Sequence, residues 1–202
     1  MGRILVLAGV NGAGKSSVGG HLLERAGMAW FNPDTFAREL AAATGCSMPE
    51  ANAEAWQEGM RRLDVALVHG HSHAFETTLG GNTVPARIAE AARTHDVLMW
   101  FCGLSSAEQH IARVQSRVAV GGHDIPEASI RARWTRAREN LIALMPVLAQ
   151  LQVYDNSAPL DAQGCANPLP LLHLDRKGLH YPESVAQLLH TPDWAKPIVM
   201  RA

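Results

Sequence analysis

The stretch that most limits what this chain can become is "RILVLAGVNGAGKSS", Arg3 to Ser17. Arg3 to Ala8 is apolar without alternation, which predicts a strand buried on both faces of a helix-covered parallel sheet. A glycine-rich loop follows, and a helix is predicted from Lys15 to about Arg25. The loop matches G-x-x-x-x-G-K-[ST] through Gly9, Gly14, Lys15 and Ser16. Glycines let backbone N–H groups turn inward around phosphates, and the following helix N-terminus adds positive potential. Lys15 would reach the β- and γ-phosphates, and Ser16 would offer its hydroxyl to Mg²⁺. Gly9, Asn11, Gly12, Ala13, Gly14, Lys15, Ser16 and Ser17 are therefore the candidate nucleotide-binding residues, for ATP or GTP with Mg²⁺.

The rest of the chain alternates strands with helices. Further strands are predicted at "MAWF", "SHAFETTL", "DVLMWFCGL" and "LQVYDNS". Helices are predicted at "NPDTFARELAAATG" (Asn32 as cap, Gly45 as stop), at "MPEANAEAWQEGMRRLDVALVHG" (ending at Gly70), from about Thr83 to Arg93, from Ser105 to about Val118, and from Pro126 to about Leu148. This pattern predicts an α/β fold: a P-loop NTPase of three α/β/α layers with a mostly parallel five-stranded sheet and a helical, arginine-bearing lid at about 117–136. Residues 1–157 would form this domain. Residues 158–202, punctuated by proline, would be an extension packed on it, with a hairpin turning at Asp175 to Gly178 and a short helix around Glu183 to Leu189.

Composition excludes some partners. The 202 residues are 47% hydrophobic and 18% charged, with a net charge of -1, so bulk charge does not suit nucleic acid or an anionic membrane. Cys46, Cys102 and Cys165 lie far apart, as expected in a reducing cytoplasm. No segment reaches the roughly 20 apolar residues of a membrane span.

Ligands of an open parallel sheet bind outside the carboxyl ends of its strands. Two acids fall there. Asp34, in "FNPDTF", is the candidate base for an acceptor hydroxyl, or else a first-turn acid on a helix dipole. Glu76, in "HAFETTL", requires a metal, a substrate hydroxyl or a cation as partner. Arginine gathers between residues 113 and 138, around "RVAVGGHDIPEASIRARW". On the helix after Pro126, Ile130, Trp134, Ala137 and Leu141 make one apolar stripe. Gly121 and Gly122 read as a hinge, with Arg117 before it and Arg133 after it as candidates to brace a γ-phosphate. A solvated basic face is the alternative. His123 would touch a phosphate or cap the turn. His69, His71 and His73 alternate as metal ligands on a strand would, but they bridge a helix end and a turn and read better as solvated. The five tryptophans read as core. Asp155, Asn156 and Ser157 would shape the loop beside the base of the nucleotide or simply form a turn.

"GVNGAGKSS", "FNPDTFA", "FETTLGG" and "RVAVGGHDIPEASIRARWTRARENL", followed by "YDNS", occur in that order from Arg3 to Ser157. In this the chain resembles the zeta toxin family of P-loop kinases, specifically a branch of small bacterial zeta-like proteins with R-V-x-x-G-G-H-x-I-P-E. The resemblance implies a kinase using ATP or GTP. Asp34 would be its acceptor base, Glu76 and Thr78 would hold the acceptor, and arginines of the late segment would brace the phosphoryl group. It implies a UDP-amino sugar as acceptor and raises an antitoxin-like protein partner. The residues themselves leave three readings: a phosphotransferase acting on a small hydroxylated metabolite, a nucleotide-binding or NTP-hydrolysing regulator of a protein partner, and a nucleoside or nucleotide kinase.

Overall fold

A computed structural model describes residues 2–16, 18–19, 23, 29–159 and 166–202. β1 (Arg3–Ala8) lies inside the sheet, between β2 (His73–Thr77) and β3 (Asp96–Gly103). β4 (Gln150–Asp155) continues beyond β3, and these four strands are parallel. The hairpin β5 (Leu169–Asp175) and β6 (Gly178–Tyr181) then extends the same sheet antiparallel to β4.

The sheet has six strands where five were predicted, and the difference has two sources. The tail hairpin adds two strands. The predicted strand "MAWF" contributes only a bridge at Phe31, whose N–H donates to the Ala74 carbonyl at 2.8 Å and whose carbonyl accepts from Glu76 N at 2.9 Å. Asn32 and Pro33 turn the chain into a helix at once, so one residue alone runs beside β2.

Successive β1 side chains face opposite layers. Ile4, Val6 and Ala8 enter the main core with Ile88, Leu141 and Val153, while Leu5 packs with Leu23 and Ala74. The helix after the loop lies close to the sheet: a Cβ on Gly19 would fall 2.0 Å from Leu7 Cδ1. The outer part of the predicted helix to Arg25 lies outside the described residues.

The connecting helices are α1 (Pro33–Thr44), α2 (Met48–His69), α3 (Thr83–Ala91), α4 (Ala107–Ala119) and α5 (Glu127–Leu144). The tail adds α6 (Val185–Leu189) and α7 (Lys196–Val199). Caps set the ends. Asn32 Oδ1 accepts from the N–H groups of Asp34 and Thr35, and Gly45 closes α1 in the left-handed region. Ser47 and Glu50 form a capping box on α2, and Gly70 closes it. α5 gives way to a 3₁₀ turn at Met145–Val147, earlier than the predicted Leu148, because Pro146 lacks the N–H the helix needs.

The parallel register positions the site. Leu7 pairs with Glu76 and Ala8 with Thr77, so β1 and β2 finish level and Glu76 emerges beside the loop. Asn32 fixes the start of α1 at the same edge, across from Glu76.

Candidate active site

The loop from Gly9 to Gly14 is pinned from two sides. His110 Nδ1, on α4, donates to the Asn11 carbonyl at 2.8 Å. Asn156 Nδ2, just past β4, donates to the Ala13 carbonyl at 2.9 Å. Gly14 permits the second contact: its φ is 81°, and a Cβ there would sit 2.4 Å from Asn156 Nδ2. Arg113 donates to the Asn156 carbonyl at 2.6 Å and the Ala158 carbonyl at 3.2 Å, holding that segment against α4. Asn156 thus touches the phosphate loop itself, a contact outside both readings of Asp155 to Ser157. Turn bonding is present as well, because Asp155 Oδ1 accepts from Ser157 N at 3.0 Å.

Lys15 and Ser16 stand at the start of the helix that follows. Lys15 Nζ lies 3.3 Å from Glu76 Oε1, and Glu76 Oε2 accepts from Ser16 Oγ at 2.9 Å and Asn32 Nδ2 at 3.1 Å. Glu76 is only 9% exposed. The carboxylate at the end of an interior strand thus has both a cation and two hydrogen-bond donors, as burial of a charge demands. The Ser16 hydroxyl and Glu76 carboxylate are hard oxygen donors side by side, which fits Mg²⁺. Ser17 lies outside the described residues.

Two cavities meet at this point. One, of 510 Å³, is lined by Gly12, Gly14, Lys15 and Ser16 together with Arg38, Arg113, Arg117 and Gly122. The other, of 660 Å³, lies between the end of β2, the start of α1, one face of α2 and the segment 123–126; Thr78, Trp56, Met60 and Arg133 line it. Asn11, Lys15, Asn32, Asp34, Asn52, Glu76 and His123 line both. Asp34 therefore stands on the shared wall, in the first turn of α1, and the dipole reading and the acceptor reading describe the same position. Thr78 lines the larger cavity, termed the acceptor-side cavity after the role expected of Asp34, Glu76 and Thr78.

The two arginines singled out by sequence lie on different sides. Arg117 lines the loop-side cavity, and its Nη2 donates to the His123 carbonyl at 2.9 Å. Arg117 Nε is buried without a hydrogen-bond partner among the described residues. Arg133 lines the other cavity, and its Nη1 donates to Asn11 Oδ1 at 2.7 Å. A Cβ on Gly80 would fall 2.5 Å from Arg133 Cγ, so a glycine after β2 makes room for the arginine stem. Arg131 instead pairs with Glu108 at the surface, at 2.5 Å. The two glycines of the expected hinge differ. Gly121 has φ 89° with open space around it, whereas Gly122 packs on Arg117, 2.5 Å from its Cγ to a Cβ built there.

Three features went unread in the sequence. Asn11 counted only as a loop residue, yet it joins α4 and α5. His110 belongs to the stripe Ala107, His110, Ile111, Val114, which is all buried, so its spacing could have flagged it. Burial pushes its pKa down to about 4, since Nε2 has no partner among the described residues to receive a proton. Trp56 was expected in the core, but it is 49% exposed and faces the acceptor-side cavity. Asn52, Trp56 and Met60 recur every four residues, a helical face turned to the cavity. By contrast Trp194 is buried on Phe101, their rings 6.4 Å apart. Among the described residues no cluster of three or more His, Cys, Asp or Glu is placed to hold a metal, and no helix is long and apolar enough to cross a membrane. His69 and His71 stack on each other, 5.6 Å apart.

A parallel core sheet, a glycine loop on a helix N-terminus, and Lys15 and Ser16 against a strand-end carboxylate define an α/β P-loop NTPase fold. The chain belongs to the AAA domain family, whose model matches residues 4–141. The shikimate kinase of Synechococcus sp. (strain RCC307) is 33% identical over 116 residues, 55% of this chain and 55% of its own. The chain thus spans about half the length of the curated relatives it matches. Among solved structures, the AvrRxo1-ORF1:-ORF2 complex with ATP superposes with a TM-score of 0.67 at 14% identity, over 89% of this chain and 60% of that one. A structure from the PezAT chromosomal toxin–antitoxin system of Streptococcus pneumoniae gives 0.53 at 12% identity, over 82% and 69%. At these identities the superpositions speak for the fold.

Proposed function

We propose that the protein is a kinase that moves the terminal phosphoryl group of ATP or GTP to a hydroxyl of a small molecule. The observation that carries this is the shared wall. A phosphate-loop cavity and a second, roomier cavity meet at Lys15, Asp34 and Glu76. A module that only binds or hydrolyses nucleotide has no use for the second cavity. Sequence similarity to shikimate kinases supports the same reaction type.

In this reading the loop N–H groups and Lys15 hold the nucleotide phosphates, and Lys15 exchanges its Glu76 partner for them. Asp34 accepts the proton of the acceptor hydroxyl. The hydroxyl oxygen bonds to the γ-phosphorus as the β–γ bridging bond breaks, and the nucleoside diphosphate leaves with that electron pair. Arg133 and Arg117 brace the oxygens of the phosphoryl group from the two sides on which they stand. Ser16 and Glu76 would hold Mg²⁺, which when bound neutralises charge on the β- and γ-phosphate oxygens. Residues 117–136 serve as the lid, with Gly121 as its flexible point. Glu76 and Thr78 border the acceptor.

A UDP-amino sugar acceptor rests on the zeta toxin resemblance, and shikimate comes from the names of the curated relatives. Both are anions, and the charge of the acceptor cavity bears on each. A nucleoside or nucleotide acceptor also fits the fold. An antitoxin-like protein partner rests on the zeta resemblance alone, and a cytoplasmic setting on the separated cysteines.

The test is nucleoside diphosphate release with ATP and Mg²⁺, with and without fractionated metabolite pools, followed by mass spectrometry. The expected result is pool-dependent turnover in which one compound gains a phosphate. Turnover indifferent to every pool, with no phosphorylated compound, would leave the nucleotide-hydrolysing regulator as the account.

A further inference from the structure

The acceptor-side cavity carries an unusual balance of charge for a site expected to bind metabolites. Among the described residues, its acidic lining groups are Asp34, Glu76 and Asp124, and its permanently cationic ones are Lys15 and Arg133. Both cations are already engaged, Lys15 with Glu76 at 3.3 Å and Arg133 with Asn11 at 2.7 Å. Both also stand at the end nearest the phosphate loop, where the phosphoryl group itself needs them. The remaining titratable lining group is His123.

Among the described residues, the far end of the cavity has no lysine or arginine in its lining. Arg62 lies behind the aromatic wall. Its guanidinium stacks on the Phe31 ring at 4.7 Å and pairs with Glu58 at 2.6 Å. Arg38 belongs to the loop-side cavity, where its Nε donates to the Asp34 carbonyl at 3.3 Å. What the lining away from the loop does offer is the apolar set Phe31, Phe75, Trp56 and Met60, with Asn52 on the shared wall as a nearby polar group. Trp56 keeps 49% of its surface exposed, and the cavity is where a flat ligand would cover it.

We propose that the acceptor is an uncharged or amine-bearing alcohol with a flat or apolar face, and that phosphate- or carboxylate-bearing compounds are selected against. Sites that select phosphates and carboxylates supply guanidinium forks or ammonium groups for them. Here a second anionic group would meet Asp34 or Asp124 and have no cation to spare. An amine would meet those same carboxylates and the indole face of Trp56, both favourable to a cation. A volume of 660 Å³ accommodates a compound the size of a nucleoside or a substituted sugar. The phosphoryl step of this proposal rests on the kinase reading; the binding preference does not.

The test uses the full chain saturated with Mg²⁺ and a non-hydrolysable ATP analogue. Calorimetry compares matched pairs: adenosine with adenosine 5′-monophosphate, N-acetylglucosamine with UDP-N-acetylglucosamine, and methyl quinate with quinate. The expected result is at least one pair in which the uncharged member binds about tenfold or more tighter, with no pair reversed. Trp56→Ala should weaken that binding about tenfold and leave nucleotide affinity unchanged, and Asp124→Lys should narrow the preference. Tighter binding by the anionic members, or no binding by any uncharged member, overturns the proposal. The same pairs are then run with ATP. Binding with the expected preference but no phosphorylated product leaves this inference standing and removes the kinase reading.

Discussion

Arg133 on α5 donates to the side chain of Asn11 at 2.7 Å, and the Asn11 backbone carbonyl is held by His110 on α4 at 2.8 Å. One loop residue thus joins the phosphate site to both helices that flank residues 120–126. If Arg133 braces the moving phosphoryl group, Arg133→Ala should lower kcat about 100-fold or more while leaving nucleotide affinity nearly intact. Arg133→Lys should restore little, because an ammonium cannot reproduce the planar fork. Steady-state kinetics with a separate nucleotide titration checks this. An equal loss of affinity and kcat would make Arg133 a binding group only.

Glu76 is the one carboxylate that touches Lys15, Ser16 and Asn32 together. Glu76→Gln leaves the buried Lys15 without its counter-charge, which should cost about 3 kcal/mol of stability in the nucleotide-free protein. Saturating MgATP should recover much of that loss, since phosphates replace the missing partner. Denaturant melts with and without nucleotide measure both quantities. A deficit that nucleotide does not reduce would mean that Lys15 does not turn to the phosphates.

His110 makes stability depend on pH. Its folded pKa is depressed to about 4 by burial, against about 6.5 in an unfolded chain. Between those values the unfolded chain binds more protons. The contribution is therefore complete above about pH 6.5 and is lost as pH falls, amounting to about 3 kcal/mol by pH 4. His110→Gln should be less stable at neutral pH yet show a shallower decline over this window. Identical slopes for the two proteins would remove His110 as the cause.

Gly14 should tolerate no side chain. A Cβ would lie 2.4 Å from Asn156 Nδ2, at a φ of 81°. Gly14→Ala is expected to cost about 2 kcal/mol and to abolish the rise in melting temperature that MgATP gives. Asn156→Ala in the same chain should restore part of the stability by removing the clash, but not the backbone strain. Thermal melts of the single and double variants check this; a double variant no more stable than Gly14→Ala would contradict it.

The sequence carried those parts of the fold that local chemistry decides. Asn32, Gly45 and Gly70 set their helix ends where expected, because caps depend on neighbours a few residues away. The lysine and serine of the loop were legible for the same reason. The strand count was not, since Phe31 pairs with β2 through one residue and the tail hairpin joins the far edge, and both are long-range choices. The sequence singles out Arg117 and Arg133 together, but their placement on different cavities depends on how α4 and α5 pack. Trp56 was misread as core because helix periodicity shows that a face is shared without showing whether it meets protein or a cavity.

The most direct measurement of the central claim is single-turnover phosphoryl transfer by Asp34→Asn, once an acceptor has been found. Asparagine keeps the size and the α1 start but cannot take a proton. The account predicts unchanged ATP affinity and a fall in the transfer rate of about 100-fold or more. Lys15→Ala, run beside it, should lose both binding and transfer. Full-rate transfer by Asp34→Asn would contradict the account.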